Sequence, residues 1–192
     1  MVTSQLAYFA FLAATGVERL FELRLSKRNA ALALARGGIE VGREHFAWMR
    51  ALHAAFLAAC ALEVALLHRT FDARLGLPML TLALGAQGLR YWAIATLGRR
   101  WNVRVIVAPG EPVVTSGPYR WLRHPNYLAV VLEGVAIPLL HGAWLTALAF
   151  SALNAWLLRV RIRVEERALA QHCELDARLG DRPRLVPFRS AR

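Results

Sequence analysis

The densest group of chemically versatile side chains lies in residues 116–128, which read S-G-P-Y-R-W-L-R-H-P-N-Y-L. His124-Pro125 marks the start of a helix, because proline fits the first helical position and restricts the residue before it. A helix start leaves backbone N–H groups unpaired and carries a partial positive charge. With Arg120 and Arg123 beside it, this stretch is suited to bind a carboxylate or a phosphate. The alternative is a basic loop that leads into a membrane helix.

The chain is both apolar and basic. Of its 192 residues 57% are hydrophobic, and the formal net charge is +11. Basic residues between long apolar runs predict an integral membrane protein, whereas a nucleic-acid-binding protein would carry them as a stripe on a polar domain. We therefore expect no nucleic-acid partner. Cys60 and Cys173 have neither metal-ligand spacing nor a disulfide pattern, so we expect no metal site.

Apolar segments predict an all-α integral membrane protein with about five transmembrane helices in one domain, residues 1–192. A span takes about 20 helical residues, and three runs reach that length. A fourth apolar stretch is too long for one span and is broken by P-L-L-H-G, which predicts a helical hairpin of helices four and five. The predicted spans are residues 2–23, 46–67, 75–97, 126–140 and 142–160.

The loops predict the orientation, because basic residues are retained on the cytoplasmic side of a membrane. Five basic residues lie between spans one and two, five lie between spans three and four, and more follow span five. Only Arg69 and Arg74 fall on the opposite side. The N-terminus is therefore expected outside, and residues 116–128 and the tail in the cytosol. The expected location is a bacterial inner (cytoplasmic) membrane.

Between spans three and four, V-R-V-I-V and P-V-V-T-S flank an A-P-G-E turn at residues 103–116. The pattern predicts either a β-hairpin that covers the site as a lid or an irregular loop.

Polar residues inside the spans either pair with one another or line a cavity. Arg50 and His53 lie near the cytosolic end of span two, and Gln87 and Arg90 lie in the cytosolic half of span three. Glu63 lies near the outer end of span two, where its carboxylate can reach toward the membrane surface.

Helix five continues into the cytosol as R-V-R-I-R-V-E-E-R. Offsets of seven and eleven residues are close to whole turns of about 3.6 residues, so Asn154, Arg161 and Glu165 share one face. Glu166 points about a quarter-turn away and is expected to pair with Arg163 or to face water. This segment is either a salt-bridged helix extension or the source of a carboxylate beside a cationic ligand.

The motifs of the second half resemble the isoprenylcysteine carboxyl methyltransferase family of membrane enzymes, which use S-adenosylmethionine. Residues 116–127 look like its G-P-Y-R…R-H-P-x-Y signature, residues 165–169 like its E-E-x-x-L element, and residues 184–187 like its closing R-x-x-P. The resemblance covers about residues 97–188. It implies a cytosolic cofactor pocket and a lipophilic small-molecule acceptor that enters from the membrane lipid.

Within that family, R-H-P-N-Y-L-A-V-V-L-E looks most like bacterial members associated with type III polyketide synthases. Those enzymes methylate hydroxyls of alkylpyrones or alkylresorcinol-derived quinones. Ala129 stands where the prenylcysteine enzymes usually carry glycine, and residues 172–180 replace their F-G-x-x-Y element. O-methylation of a polyketide-derived hydroxyl, or of a carboxylate, is therefore expected rather than methylation of a prenylcysteine.

The resemblance also implies which residues bind the cofactor. They are Tyr119, Arg120, Arg123, His124, Pro125, Tyr127, Glu165 and Glu166. The start of helix four with an arginine suits the cofactor carboxylate, and Glu165 suits its ammonium or ribose hydroxyls. Tyr119, Trp121 or Tyr127 can pack on adenine.

Glu133, Arg90 and His53 are the catalytic candidates. Glu133 lies about two turns into helix four, where a partly desolvated carboxylate is suited to take a proton from a hydroxyl. The competing interpretation is a structural hydrogen bond between Glu133 and Arg90. His53 is a weaker candidate for the base.

Two other functions remain open. Membrane sterol reductases resemble this family in the R-H-P-x-Y region and use NADPH, although this chain has fewer spans and no second nucleotide motif. A membrane protein without enzymatic activity is the other alternative. The sequence leaves the acceptor molecule and the oligomeric state open.

Overall fold

The computed structural model describes residues 2–185, apart from the side chains of residues 44 and 45, and this part of the chain is mostly helical. The long helices are α1 (Val2–Ala35), α2 (Arg43–Leu66), α3 (Ala73–Leu97), α4 (Pro125–Leu139) and α5 (Trp144–His172). A short helix, α6 (Leu175–Leu179), follows α5. Each predicted span falls on one long helix. α1 and α5 continue well past residues 23 and 160, where the predicted spans end.

Two described helices are long and apolar enough to cross a membrane by length and composition, Phe46–Leu66 within α2 and Trp144–His172. α4 is a shorter apolar helix. Large apolar side chains remain exposed on α5, among them Leu148 at 64% and Trp156 at 63%. Exposed apolar surface of this kind suits contact with lipid.

α4 lies at the centre of the bundle and packs against α3 and α5. Small residues bring the helices close together, as they do in membrane proteins. A Cβ added to Gly134 would lie 2.6 Å from the Phe150 ring of α5, and Ala129 and Ala136 are fully buried. Neighbouring helices therefore fix the direction of the side chains on α4.

The turn between α4 and α5 is held by a carboxylate from α2. Glu63 accepts hydrogen bonds from the backbone N–H groups of Leu145 (3.2 Å) and Thr146 (2.7 Å), and it also pairs with Arg69. Glu63 is 8% exposed and bonded within the bundle. The expectation that its carboxylate reaches toward the membrane surface is therefore wrong. Glu63 supplies acceptors to the unpaired N–H groups at the start of α5.

The predicted β-hairpin, in which residues 103–107 would pair with residues 112–116 as a lid, is not formed. β2 (Val105–Val107) pairs antiparallel with β1 (Ile39–Val41), which lies between α1 and α2. Residues 112–116 form no strand, because Val113 N–H donates instead to the Cys173 carbonyl at the end of α5 (3.2 Å). Glu40 of β1 also forms an ion pair with Arg104, the residue before β2.

Candidate functional site

A cavity of about 450 Å³ lies where the start of α4 meets α5, α6 and the segment after α3. Five of the predicted cofactor residues line it, namely Tyr119, Arg123, His124, Tyr127 and Glu165. Three more, Arg120, Pro125 and Glu166, are not among its lining residues. The tertiary structure thus brings most of the signature to one cavity.

The G-P-Y-R motif has no room for a side chain at position 117. Gly117 has a φ of +54°, and a Cβ there would lie 2.3 Å from the Thr96 hydroxyl of α3. The motif forms a short 3-10 helix, Gly117–Arg120, in which Pro118 and Tyr119 are buried. This tight turn against α3 places Tyr119 at the cavity.

The segment before α4 pairs with the tail. The backbone N–H groups of Arg123 and His124 donate to the carbonyls of Pro183 (2.9 Å) and Arg184 (3.0 Å). The Arg123 guanidinium also donates to the carbonyls of Arg182 (2.9 Å) and Gly180 (2.6 Å). Arg123 therefore holds the tail in place, and only part of its guanidinium remains for a ligand. Of the predicted closing element, residues 186 and 187 lie outside the described residues.

Arg120 and Trp121 lie outside the cavity. The Arg120 guanidinium carbon lies 4.1 Å from the centre of the Trp121 ring, and that ring lies 5.5 Å from Trp92 in an edge-to-face arrangement. Trp121 is 48% exposed. The structure places neither residue where it could bind the ligand of the cavity, because the turn before α4 directs both outward.

A hydrogen-bonded row connects α4 to the extension of α5. The Arg161 guanidinium donates to the Tyr127 hydroxyl (2.6 Å), which donates in turn to Glu165. Arg161 and Asn154 are buried on the same helix, while the Glu165 side chain keeps 24% of its surface exposed. The predicted face of α5 therefore does meet α4, and Glu165 presents a carboxylate to the cavity.

Glu166 is not free, contrary to the prediction that it pairs with Arg163 or faces water. It is 8% exposed and receives hydrogen bonds from Arg184 (2.6 to 3.0 Å), with the His124 Nε2 at 3.2 Å. The prediction failed because the tail covers this face of the helix. Glu166 therefore positions the His124 ring, which stacks on Tyr127 with ring centres 5.2 Å apart.

The pKa values of the Tyr119 phenol and the Cys173 thiol at the cavity are raised, which favours their neutral forms. Burial raises the pKa of the Tyr119 phenol, and the nearby Glu165 charge raises it further. Burial also raises the pKa of the Cys173 thiol, which lies 3.4 Å from the Ala108 carbonyl. The charged side chains that line the cavity are therefore Glu165, Glu111 and arginines.

Sequence reasoning missed several cavity residues. Arg36, Arg99 and Arg100 line it and are exposed, and the sequence had used them only to predict the orientation. Trp101 and Asn126 line it too, and their Nε1 and Oδ1 atoms are buried without a hydrogen-bond partner among the described residues. Such unpaired buried atoms are uncommon in proteins and are expected to meet a ligand or water. Only the folded structure reveals them.

A second polar cluster lies deeper in the bundle, apart from the cavity lining. The Arg90 guanidinium of α3 makes two hydrogen bonds to the Glu133 carboxylate of α4, one of 3.0 Å. Arg19 of α1 lies 3.4 Å from the same carboxylate. The pairing between Glu133 and Arg90, which the sequence left as the competing interpretation, is therefore present.

α1 contributes acidic residues to this cluster that the sequence did not identify. Glu18 accepts hydrogen bonds from Gln87 and Tyr91, and Glu22 pairs with Arg19 at 2.7 Å. The signal was three charged residues within a run otherwise apolar enough to predict a span. Charged residues in a span rarely face lipid, so they indicate a partner inside the bundle.

The His53 side chain is oriented within the bundle. One ring nitrogen, Nδ1, donates to the Met49 carbonyl at 2.8 Å, and the ring meets Phe150 edge-on with centres 5.4 Å apart. With Nδ1 used as a donor, Nε2 of a neutral ring is left as an acceptor. His53 does not line the cavity described above.

Comparison with known proteins assigns the family. The uncharacterized protein YpbQ of Bacillus subtilis (strain 168) is 38% identical over 156 residues, which cover 81% of this chain and 92% of that protein. The sequence model of the isoprenylcysteine carboxyl methyltransferase family matches residues 79–171. This chain belongs to that family. The isoprenylcysteine carboxyl methyltransferase family is one of membrane methyltransferases, and the matched region includes α4, most of α5 and most of the residues that line the cavity.

A more distant relative is similar to this chain over nearly the same number of residues. An uncharacterized protein of Haemophilus influenzae is 28% identical over 155 residues, which cover 79% of this chain and 88% of that protein. Like the Bacillus relative, it extends the similarity beyond the part that the isoprenylcysteine carboxyl methyltransferase family model matches. Neither relative's name gives a substrate.

Proposed function

We propose that this protein is an S-adenosylmethionine-dependent methyltransferase whose acceptor is a lipophilic molecule dissolved in the membrane. The observation that supports it best is the cavity that joins the R-H-P-N-Y start of α4 to Glu165 of α5. Its volume of about 450 Å³ lies within the range of about 300–1,000 Å³ that is usual for small-molecule sites. Family membership supports the same reaction class.

The residues present fit the cofactor. Exposed arginines at the cavity and the start of α4, which no side chain caps, suit a carboxylate. Glu165 suits an ammonium group or ribose hydroxyls, and Tyr119 offers a neutral ring for adenine. When bound, S-adenosylmethionine supplies an electrophilic methyl group, so that a C–O bond to the acceptor forms as the C–S bond breaks and sulfur keeps the electron pair. The acceptor proton must leave to a base or to water.

We further propose that the acceptor is a polyketide-derived hydroxyl, of the alkylpyrone or alkylquinone type, or a carboxylate. The deep cluster of Arg90, Glu133 and Arg19 places polar groups inside an otherwise apolar bundle. Such a cluster can bind the polar head of an acceptor whose apolar tail stays in lipid. Glu133 remains the candidate base, with Arg90 and His53 as groups that orient it or the acceptor.

The proposed topology has five spans in a bacterial inner membrane, with the N-terminus outside and the tail in the cytosol. The described helices fall on the five predicted spans, and the cavity lies at the end where the basic loops gather. In this arrangement the cofactor enters from the cytosol and the acceptor enters sideways from the bilayer.

Binding of the two candidate cofactors tests the proposal. Detergent-purified protein is titrated with S-adenosylhomocysteine and with NADPH by isothermal calorimetry. We expect saturable binding of S-adenosylhomocysteine and none of NADPH. Binding of NADPH alone would replace the proposal with a reductase, and binding of neither would favour a protein without this enzymatic activity.

The acceptor is tested separately with methyl-labelled S-adenosylmethionine. The protein is incubated with the label and either alkylpyrones, alkylresorcinol-derived quinones or free fatty acids in detergent. We expect label in an organic extract only with a hydroxyl- or carboxyl-bearing acceptor. If the protein binds the cofactor but labels none of these acceptors, the proposed acceptor class is contradicted. The cofactor assignment is not affected by that result.

A further inference from the structure

Two buried polar atoms of opposite kind lack partners at the same cavity. The Trp101 side chain is 3% exposed, and its Nε1–H, a donor only, has no partner among the described residues. The Asn126 Oδ1, an acceptor, is also buried and unpaired within that part of the chain. Both residues line the cavity. A ligand that offers an acceptor to one and a donor to the other would satisfy both.

The chain holds both residues firmly. The Trp101 carbonyl accepts a hydrogen bond from the buried Asn29 amide (2.7 Å), and its N–H donates to the Gly98 carbonyl (3.1 Å). Asn126 is in the first turn of α4, between Pro125 and Tyr127, whose hydroxyl is itself tied to α5. The backbones of both residues are therefore fixed without a ligand, which favours selective recognition.

The chemistry of the pair points to one part of the proposed cofactor. Neither atom carries a charge, and other residues that line the same cavity, such as Val107, Val113 and Leu169, are apolar. The charged amino-acid end of the cofactor is better matched by Glu165 and the arginines. Adenine is neutral and planar, its 6-amino group is a donor, and its ring nitrogens are acceptors.

We propose that Asn126 accepts a hydrogen bond from the 6-amino group of the cofactor adenine and that Trp101 donates to a ring nitrogen of the same base. The inference rests on the proposed cofactor and adds the two residues that recognise its base. Removal of either protein group or of its partner atom on the base should lower affinity by about the same factor, on the order of tenfold for one hydrogen bond.

Ligand analogues paired with variants test the first contact. Affinities of S-adenosylhomocysteine and of the analogue that carries hydrogen in place of the 6-amino group are measured by calorimetry for wild type and Asn126→Ala. We expect wild type to prefer the amino compound about tenfold and the variant to bind both nearly equally. An unchanged preference in the variant, or no preference in wild type, would overturn the assignment. A hydrogen bond from Asn126 to the ribose instead of the base would leave the preference for the 6-amino compound unchanged in the variant.

Trp101→Phe tests the second contact, because it keeps an aromatic ring and removes only the indole N–H. The ligands are the 1-deaza, 3-deaza and 7-deaza analogues of S-adenosylhomocysteine. We expect one of them to bind wild type more weakly than the parent does and to lose this difference in the variant. If no deaza analogue shows that pattern, Trp101 does not contact the base.

Matched controls separate these results from general damage. Asn102→Ala alters a second cavity asparagine whose Oδ1 already accepts from Ser26 (2.7 Å) and the Arg104 N–H (3.0 Å), so the amino preference should stay at the wild-type value. Trp121→Phe alters an exposed tryptophan outside the cavity and should leave all ratios unchanged. If wild type binds no S-adenosylhomocysteine at all, the proposed function fails; if it binds without base discrimination, only this inference fails.

Discussion

At the scale of single residues, hydrogen-bond partners separate residues that face a ligand from residues that hold the site together. Glu165 and Glu166 are adjacent, yet Glu165 reaches the cavity and Glu166 is used by His124 and Arg184. Arg123 also serves largely to fix the tail. Motif residues of one charge type therefore divide into binding and positioning roles that the motif alone does not distinguish.

Tyr127→Phe removes the hydroxyl that connects Arg161 to Glu165. We expect S-adenosylhomocysteine affinity to fall about tenfold, about 1.4 kcal/mol, because Glu165 loses the group that orients it. Calorimetry in detergent measures the change. Tyr91→Phe is the control, since it also removes a hydroxyl bonded to a glutamate, Glu18, away from the cavity. Equal loss in both variants would contradict the role of Tyr127.

Glu133→Gln tests the candidate base. If Glu133 takes the acceptor proton, the variant should bind S-adenosylhomocysteine as wild type does while methyl transfer falls at least about a hundredfold, the usual contribution of a general base. The rate is measured across pH with the labelled acceptor, after a thermal melt has shown that the variant is folded. A near-wild-type rate at every pH would leave Glu133 as a structural partner of Arg90.

At the scale of elements, the cavity depends on how loops and the tail meet the helices. The turn before α4 packs on α3, the β1–β2 pair joins the α1–α2 connection to the segment after α3, and the tail pairs with residues 123 and 124. Each of these contacts is long-range in sequence. The site is therefore sensitive to changes in residues that never touch a ligand.

Gly117→Ala should destabilise the protein by at least about 1 kcal/mol, because residue 117 has a positive φ and no room for a Cβ beside Thr96. The loss is read from the thermal midpoint in detergent, together with weaker S-adenosylhomocysteine binding. Gly85→Ala is the control, since it lies in α3 with open space around it and should be neutral or stabilising. A stable Gly117→Ala protein would show that this turn is not strained.

Glu166→Gln tests how the tail is held on α5. The variant keeps the size of the side chain but loses the charge that receives Arg184 and His124, so we expect a loss of about 1–3 kcal/mol in stability. Glu174→Gln breaks an exposed pair with Arg178 and should change stability by less than about 0.5 kcal/mol. Limited proteolysis after α5 should be faster only in Glu166→Gln.

At the scale of the whole molecule, two polar regions lie within an apolar helical bundle. The cavity lies at the end of the bundle that carries most of the basic loop residues. The polar cluster around Glu133 lies between α1, α3 and α4. This separation suits a reaction between a water-soluble cofactor and a lipid-soluble acceptor. For the proposed cofactor to reach the cavity, the cavity has to face the cytosol, where the cofactor is made.

Cysteine labelling tests the proposed orientation. Arg74→Cys lies at the predicted outer end of α3, and Lys27→Cys lies at the predicted cytosolic end of α1. The native Cys60 and Cys173 are buried and should give little background. We expect a membrane-impermeant maleimide to label Arg74→Cys in intact cells and Lys27→Cys only after permeabilisation. The reverse pattern would place the cavity outside and contradict the proposed cofactor supply.

The sequence by itself determined the helices and the location of the signature. Long apolar runs and P-L-L-H-G indicated where α1 to α5 would lie, because helix formation and burial follow local composition and period. The offsets along α5 likewise placed Arg161 and Glu165 on the face that meets α4. These features depend on residues that are near one another in the chain.

The tertiary structure decided the partners. Nothing local to V-R-V-I-V reveals that its strand pairs with β1 rather than with residues 112–116, and nothing near Glu166 reveals that the tail covers it. Trp101 and Asn126 are candidates only because the fold brings both residues, each with an unpaired buried atom, to one cavity. Pairing of buried polar groups is set by which distant segments fold together, and that information is not contained in the spacing of a motif.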